Sequence, residues 1–337
     1  MSLPTVWFVI VAFFWTGFFV LEGFDFGVGA LHKIVGRTDT ERRVAINTVG
    51  PVWDGNEVWL IVAGASMFAA FPNWYASWFS ALYLALWLLL AALIVRGVSF
   101  EFRGKFAAPA WRKTWGAALT VGSVLAPLLI GIGLGDLLAG LPIDADGDFT
   151  GTFLDLLTPF GLVLGLTLLT LSLLHGAAFL TLRATGPVLD RAHALLRRLC
   201  LPALALVLIT AAWLVVLASP GGWGFVAAAI PAIAAVAAAV TGLTGRSPAA
   251  GFAATGVTIG GLVAALFVCL YPTLLVSSTD PAYSLTVTNS SSSPYSLQVM
   301  TIAAAVLVPM VLLYQGWTYY VFRRRVTAGP APANTVA

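Results

Sequence analysis

The chain has 337 residues, of which 60% are hydrophobic and only 9% charged, and its mean hydropathy is +0.95. A water-soluble core cannot accommodate that composition, whereas an integral membrane protein with several spans requires it. The formal charge of +3 and a pI near 9.0 raise nucleic-acid binding, but the placement of the basic residues explains them without it.

Nine apolar segments of spanning length follow one another, at about 5–32, 50–71, 74–95, 115–140, 155–182, 199–218, 223–243, 250–276 and 297–321. Each is close to the ~20 residues needed to cross a bilayer as helix. The first has no positive n-region and no small-residue cleavage site, and it carries Glu22 and Asp25, so it is expected to stay in the membrane. Lys33, Arg37, Arg42 and Arg43 follow the first span, and Arg96, Arg103, Lys105, Arg112 and Lys113 the third. Arg183, Arg191, Arg197 and Arg198 follow the fifth, Arg246 the seventh, and Arg323, Arg324 and Arg325 the ninth. All 17 Lys and Arg thus fall on one side, which puts the N-terminus outside and the C-terminus in the cytoplasm.

The opposite loops agree: "LPIDADGDF" (141–149) is acidic, and 276–296 is polar with Asp280 as its one charge. Trp and Tyr in "NWYASWF" (73–79), and Trp317, Tyr319 and Tyr320, read as aromatic belts at the two boundaries. Cys200 and Cys269 lie in apolar helical stretches and read as packing residues. The expected fold is an all-α integral membrane protein, one polytopic domain over 1–337 with nine transmembrane helices. "LEGFDFG" (21–27) can be laid over "LHGAAFL" (174–180), a weak repeat that would relate about 1–140 to about 155–276. The chain would then be two four-helix bundles plus one peripheral helix, 297–321.

The intramembrane carboxylates carry the functional signal. Glu22 and Asp25 are spaced i,i+3 near the cytoplasmic end of the first span, and Asp54 and Glu57 are spaced i,i+3 near the cytoplasmic start of the second. At ~1.5 Å per residue both pairs lie roughly 6–12 Å into the apolar slab, so all four could share one site. Four unpaired carboxylates at mid-membrane would cost ~10–14 kcal/mol, at ~2.5–3.5 kcal/mol each. With every Lys and Arg assigned to loops, the partners left are Asn47 and Asn56, indole N–H groups of Trp53 and Trp59, a cation, or another chain. Such carboxylates, connected to water, suit a proton path; the structural alternative is a polar cluster that fixes helix packing. Gly23, Gly27 and Gly29, and Gly50, Gly55 and Gly64, frame the acids and read as close-packing positions.

Haem ligation finds little support. His32 ends the first span, His193 is in a basic loop, and His175, at membrane depth, reads as a hydrogen-bonded packing residue rather than a ligand. No metal-ligand spacing, P-loop, GxGxxG, CxxCH or HExxH is present, so no redox or hydrolytic chemistry is expected within this chain alone.

"EGFDFGVGAL" (22–31), "GRTDTERRVAIN" (36–47), "WDGNEVWLIVAGASMFAAFP" (53–72), "TPFGL" (158–162) and "SSSSPYSLQVMT" (290–301) through "LVPMVLLYQGW" (307–317) resemble subunit II of the cytochrome bd-type quinol oxidases. The resemblance covers nearly the whole chain, and the WDGN stretch is highly specific. It implies a haem-free chain in the bacterial cytoplasmic membrane, partnered by a larger subunit I that carries two b-type haems, one d-type haem and the quinol-oxidising loop. It also implies a proton pathway from the cytoplasm through Asp54, with Asp25 implicated too. Glu22 stands where many relatives have Asp, and Glu101 in "SFEFR" makes the same change. The complex would oxidise quinol at the outer face and reduce O2 to water, generating a proton-motive force without pumping. Small accessory subunits, and quinone or lipid in the helix crevices, are further candidate partners. A proton-coupled secondary transporter and a purely structural scaffold are the competing readings.

Overall fold

A computed structural model describes residues 2–218, 223–245 and 247–327. Arg246 lies outside the described residues. The first helix, α1 (Leu3–Val35), starts where Ser2 accepts the Thr5 N–H and Pro4 stands in the first turn. A short helix outside the spans, α2 (Asp39–Asn47), begins with a capping box in which Thr38 and Glu41 satisfy each other's backbone N–H. The chain then forms α3 (Trp53–Ala70), α4 (Pro72–Ala81), α5 (Tyr83–Phe102) and α6 (Pro109–Ala139). After a 3₁₀ turn at Phe153–Leu156 come α7 (Pro159–Arg183), α8 (Gly186–Leu217), α9 (Trp223–Thr244) and α10 (Pro248–Leu270). Two short antiparallel strands, β1 (Thr273–Leu275) and β2 (Leu285–Thr286), precede α11 (Pro294–Val321).

Among the described residues eight helices are long and apolar enough to span a membrane: α1 and α5 to α11. Their large apolar side chains face outward, as Trp87, Leu90 and Ile94 of α5 and Ile302, Met310 and Leu313 of α11 do, which suits hydrocarbon rather than water. The helix with the polar start, α3, is 18 residues long and is not among the eight.

Several boundaries differ from the hydropathy reading. The expected third span, 74–95, is two helices joined at Leu82, and the second of them runs on to Phe102. Arg96, expected in a loop, is therefore inside α5. Helix α8 starts at Gly186 rather than 199, because its amphipathic first half continues the helix beyond the apolar slab. Conversely, α7 starts only at Pro159, capped by Thr158, and α10 ends at Leu270 before β1.

Helix α1 is the hub, packed against α3, α6, α7 and α10. Its crossing with α7 depends on glycine: a Cβ on Gly27 would meet the Gly176 Cα at 2.8 Å, closer than real side chains come. Gly131 of α6 and Gly165 of α7 make a second such crossing, at 2.7 Å. In contrast, α11 buries only Leu297, packs Met300, Ala304 and Val308 against the core, and adds polar tethers. The Trp7 indole donates to the Leu297 carbonyl at 3.2 Å and to the Thr301 hydroxyl at 3.0 Å.

Ion pairs tie α2 down on both sides. Asp39 accepts from Arg103 and, at 2.9 Å, from Arg112, while Glu41 accepts from Arg191 of α8 at 2.8 Å. The Arg191 guanidinium and the N–H groups of Thr38 and Arg37 hold the Glu41 carboxyl at about 2, below the ordinary 4.5.

Candidate functional site: a buried ionic cluster between α1, α3 and α5

One turn of α1 separates Glu22 from Asp25, so both project from one face, and both are fully buried. Opposite them the first turns of α3 bring Asn56 and Glu57. From α5 comes Arg96, whose Nη2 lies 2.5 Å from Glu22 Oε1 and whose Nη1 lies 3.5 Å from Glu57 Oε2. The guanidinium also lies 4.7 Å from the centre of the Phe26 ring and 5.3 Å from that of Phe100, so aromatic faces complete its surroundings. The Phe100 ring is itself stacked on Trp53 at 4.7 Å.

A second arm runs from Asp25 to α11. The Asn56 amide donates to Asp25 Oδ2 at 2.6 Å and to the Leu21 carbonyl at 3.2 Å. Its oxygen accepts from Gln315 at 2.8 Å and from the Tyr319 hydroxyl at 2.9 Å, and Gln315 in turn accepts from the Trp59 indole at 2.8 Å. Three carboxylate oxygens of the cluster, Glu22 Oε1, Glu22 Oε2 and Asp25 Oδ1, are buried with no hydrogen bond among the described residues, and of these Glu22 Oε1 meets the Arg96 guanidinium. Such orphans are rare in native proteins, and a carboxyl that takes up a proton or meets water accounts for them. Glu57 links this interior to the surface, since 21% of its side chain is exposed.

The structure divides the residues singled out from sequence. Glu22, Asp25, Asn56 and Glu57 come together. Asp54 does not join them: it sits on the exposed side of the first turn of α3, at the outer surface of this chain. Trp53 supports the cluster only through Phe100, and Trp59 only through Gln315. Asn47, at the end of α2, and Glu101, at the end of α5, are exposed and touch none of these groups. The expectation that no Arg or Lys reaches the acids is overturned by Arg96. Its signal was the seven-residue interval to Arg103, two helical turns, across which "GVSFEF" continues the helix. Tyr319, read as a belt residue, and Gln315 are hydrogen-bonded neighbours of the cluster that the sequence reading missed. Also missed was Asp136 of α6, buried and accepting from Thr158 at 2.6 Å.

His175 is poorly placed to hold haem. Its Nδ1 is 2.6 Å from the Thr255 hydroxyl and its Nε2 3.2 Å from the Val20 carbonyl, and its ring stacks on Phe252 at 4.4 Å. Both nitrogens are engaged. Among the described residues no group of three His, Cys, Asp or Glu could hold a metal ion. His175 therefore offers no free ring nitrogen to a haem iron.

The family model described as "Cytochrome bd terminal oxidase subunit II" matches residues 3–322. The chain belongs to the subunit II family of cytochrome bd terminal oxidases. A relative from Bacillus subtilis (strain 168), "Cytochrome bd ubiquinol oxidase subunit 2", is 40% identical over 329 residues, covering 97% of each chain. "Cytochrome bd-I ubiquinol oxidase subunit 2" of Escherichia coli (strain K12) is 35% identical over 369 residues, covering 99% of this chain and 97% of the relative. A chain of the bd oxidase from Geobacillus thermodenitrificans shares the fold, with a TM-score of 0.72 at 19% identity over 95% of this chain and 97% of that one. A cytochrome bd subunit II is one part of a respiratory oxidoreductase that works as a complex with a subunit I and carries haem. That membership replaces the transporter reading, which the intramembrane acids alone had left open.

Proposed function

We propose that this chain, bound to subunit I in a bacterial cytoplasmic membrane, supplies part of a cytoplasmic proton path for an oxidase that oxidises quinol and reduces O2 to water. The two b-type haems and one d-type haem belong to subunit I, with the redox chemistry. Asp54 takes the proton at the outer surface of this chain, Glu57 is the partly exposed step inward, and Glu22 and Asp25 are the interior carriers. Arg96 holds Glu22 and Glu57 in position, and Asn56 orients Asp25. The observation that carries this reading is the pair of orphan carboxylate oxygens on Glu22 and Asp25, reached through Glu57 from an exposed Asp54.

The same proposal takes α3 as a ninth span, places the N-terminus outside and the C-terminus inside, and groups the helices as two four-span units with α11 peripheral. Helices α1, α3, α5 and α6 form one unit and α7 to α10 the other, the pseudo-repeat of about 1–140 and about 155–276.

The test is quinol-driven oxygen uptake by the purified complex carrying Asp54→Asn or Asp25→Asn, normalised to haem content. Turnover should fall by tenfold or more with the haem spectrum intact, the loss expected when a general acid–base group is removed, roughly 10²-fold at full effect. A purely structural cluster is the second reading, favoured by the Asn56 bonds that anchor α11. Loss of haem and assembly in step with activity would support it instead.

A further inference from the structure

At the end of the bundle that carries α2 there is a polar cavity of about 510 Å3. It is lined by Lys33 of α1, Asp39 and Arg42 of α2, and Arg112 and Lys113 of α6. Four cations thus face one carboxylate, and that carboxylate is already shared by Arg112 and Arg103. Among the described residues Lys33, Arg42 and Lys113 make no ion pair. Cations gathered in one concavity repel one another, so an anion that enters is held by their summed field. The start of α6 adds to that field, because Ala108 caps it with no side-chain hydrogen bond and, Pro109 having no N–H, the Ala110 and Trp111 N–H groups have no partner within the helix.

The depth and the rim identify the anion's carrier. Lys33 lies in the last turn of α1 and Lys113 near the beginning of α6, so the cavity sits where headgroups lie. Beside it the α5–α6 connection exposes an aromatic group: Phe102 and Phe106 are 42% and 60% exposed. The Phe106 ring packs 5.0 Å from Trp111, and Trp111 packs 5.6 Å from Trp115. Aromatics of this kind mark the boundary between headgroups and acyl chains. We propose that this cavity binds the phosphate of an anionic phospholipid, taken from the leaflet on the α2 side. Under the orientation proposed above, that is the cytoplasmic leaflet, where basic pockets between helices hold acidic headgroups. Inorganic phosphate shares the recognition chemistry but gains nothing from the aromatic rim.

Native mass spectrometry of the delipidated complex, titrated with phosphatidylglycerol or phosphatidylcholine, tests the assignment. The double substitution Lys33→Gln/Lys113→Gln should weaken phosphatidylglycerol binding about 30-fold, fivefold or so per charge, and leave phosphatidylcholine binding unchanged. Lys113→Arg, which keeps the charge, should bind as the parent does, and an unchanged haem spectrum reports an intact complex in each case. Equal phosphatidylglycerol binding by parent and double variant would overturn the proposal. Equal weakening for phosphatidylcholine would overturn it too. Displacement of phosphatidylglycerol by equimolar inorganic phosphate would assign the cavity to a free anion and overturn the lipid.

Discussion

Replacing Arg96 by Met removes the only cation among the described residues that touches Glu22 and leaves side-chain volume nearly unchanged. Arg96 and Glu22 are both 0% exposed, and the 2.5 Å pair is the shorter of the two ion pairs the guanidinium makes. Breaking a buried pair from one side costs about 3–5 kcal/mol, because the remaining charge stays buried without its partner. The contacts with Phe26 and Phe100 add little to the difference, since a Met side chain keeps favourable contact with both rings. A cost of that size corresponds to a change of roughly 150- to 4,500-fold in the folded population. Arg96→Met is therefore expected to lower both the yield of haem-containing complex from membranes and its thermal midpoint. Adding Glu22→Met should restore most of the loss, because two apolar residues replace the pair and Glu57 still has access to water. Parent-like yield and midpoint in the single variant would refute this reasoning, as would a double variant no better than the single.

Gly27→Val should destabilise the complex by about 1–3 kcal/mol or more, since the added Cβ meets backbone of α7, while Gly64→Ala, whose Cβ meets only the Phe79 ring at 3.6 Å, should be neutral. Thermal midpoints of the two variants decide it, and equal values would refute the claim that the α1–α7 crossing depends on Gly27. Glu41 has a carboxyl held at about 2, so its contribution is fully present above the ordinary 4.5 and is lost as pH falls through about 2. Hydrogen exchange over residues 37–47 should thus show the same protection factors at pH 8 and pH 5, and Glu41→Gln should lower them at both. Protection already lost by pH 5 would contradict the pairing with Arg191.

Much of the site was legible because its cost is written in composition. An acid within an apolar run needs compensation whatever its surroundings, so Glu22, Asp25 and Glu57 stood out, and i,i+3 spacing put Glu22 and Asp25 on one face. Arg96 stayed hidden because a hydropathy window closes at the first charged side chain, although a paired Arg leaves the helix free to continue to Phe102. The reverse error affected Asp54. Its spacing with Glu57 suggested a shared face, but with 3.6 residues per turn an i,i+3 partner is rotated by about 60°, enough to leave one side chain inside and the other at the surface.

By itself, the sequence determined that the chain is a multi-span membrane protein, roughly where its spans run, which family it resembles and which acids are costly. Those follow from summed transfer energies and from motif identity, which are local along the chain. Only the tertiary structure decided that Arg96 lies between Glu22 and Glu57, that Asn56, Gln315 and Tyr319 bridge Asp25 to α11, and that Asp54 faces outward. Such contacts join residues as far as 263 positions apart, and they depend on the rotation of one helix about its axis against another, which no one-dimensional pattern encodes.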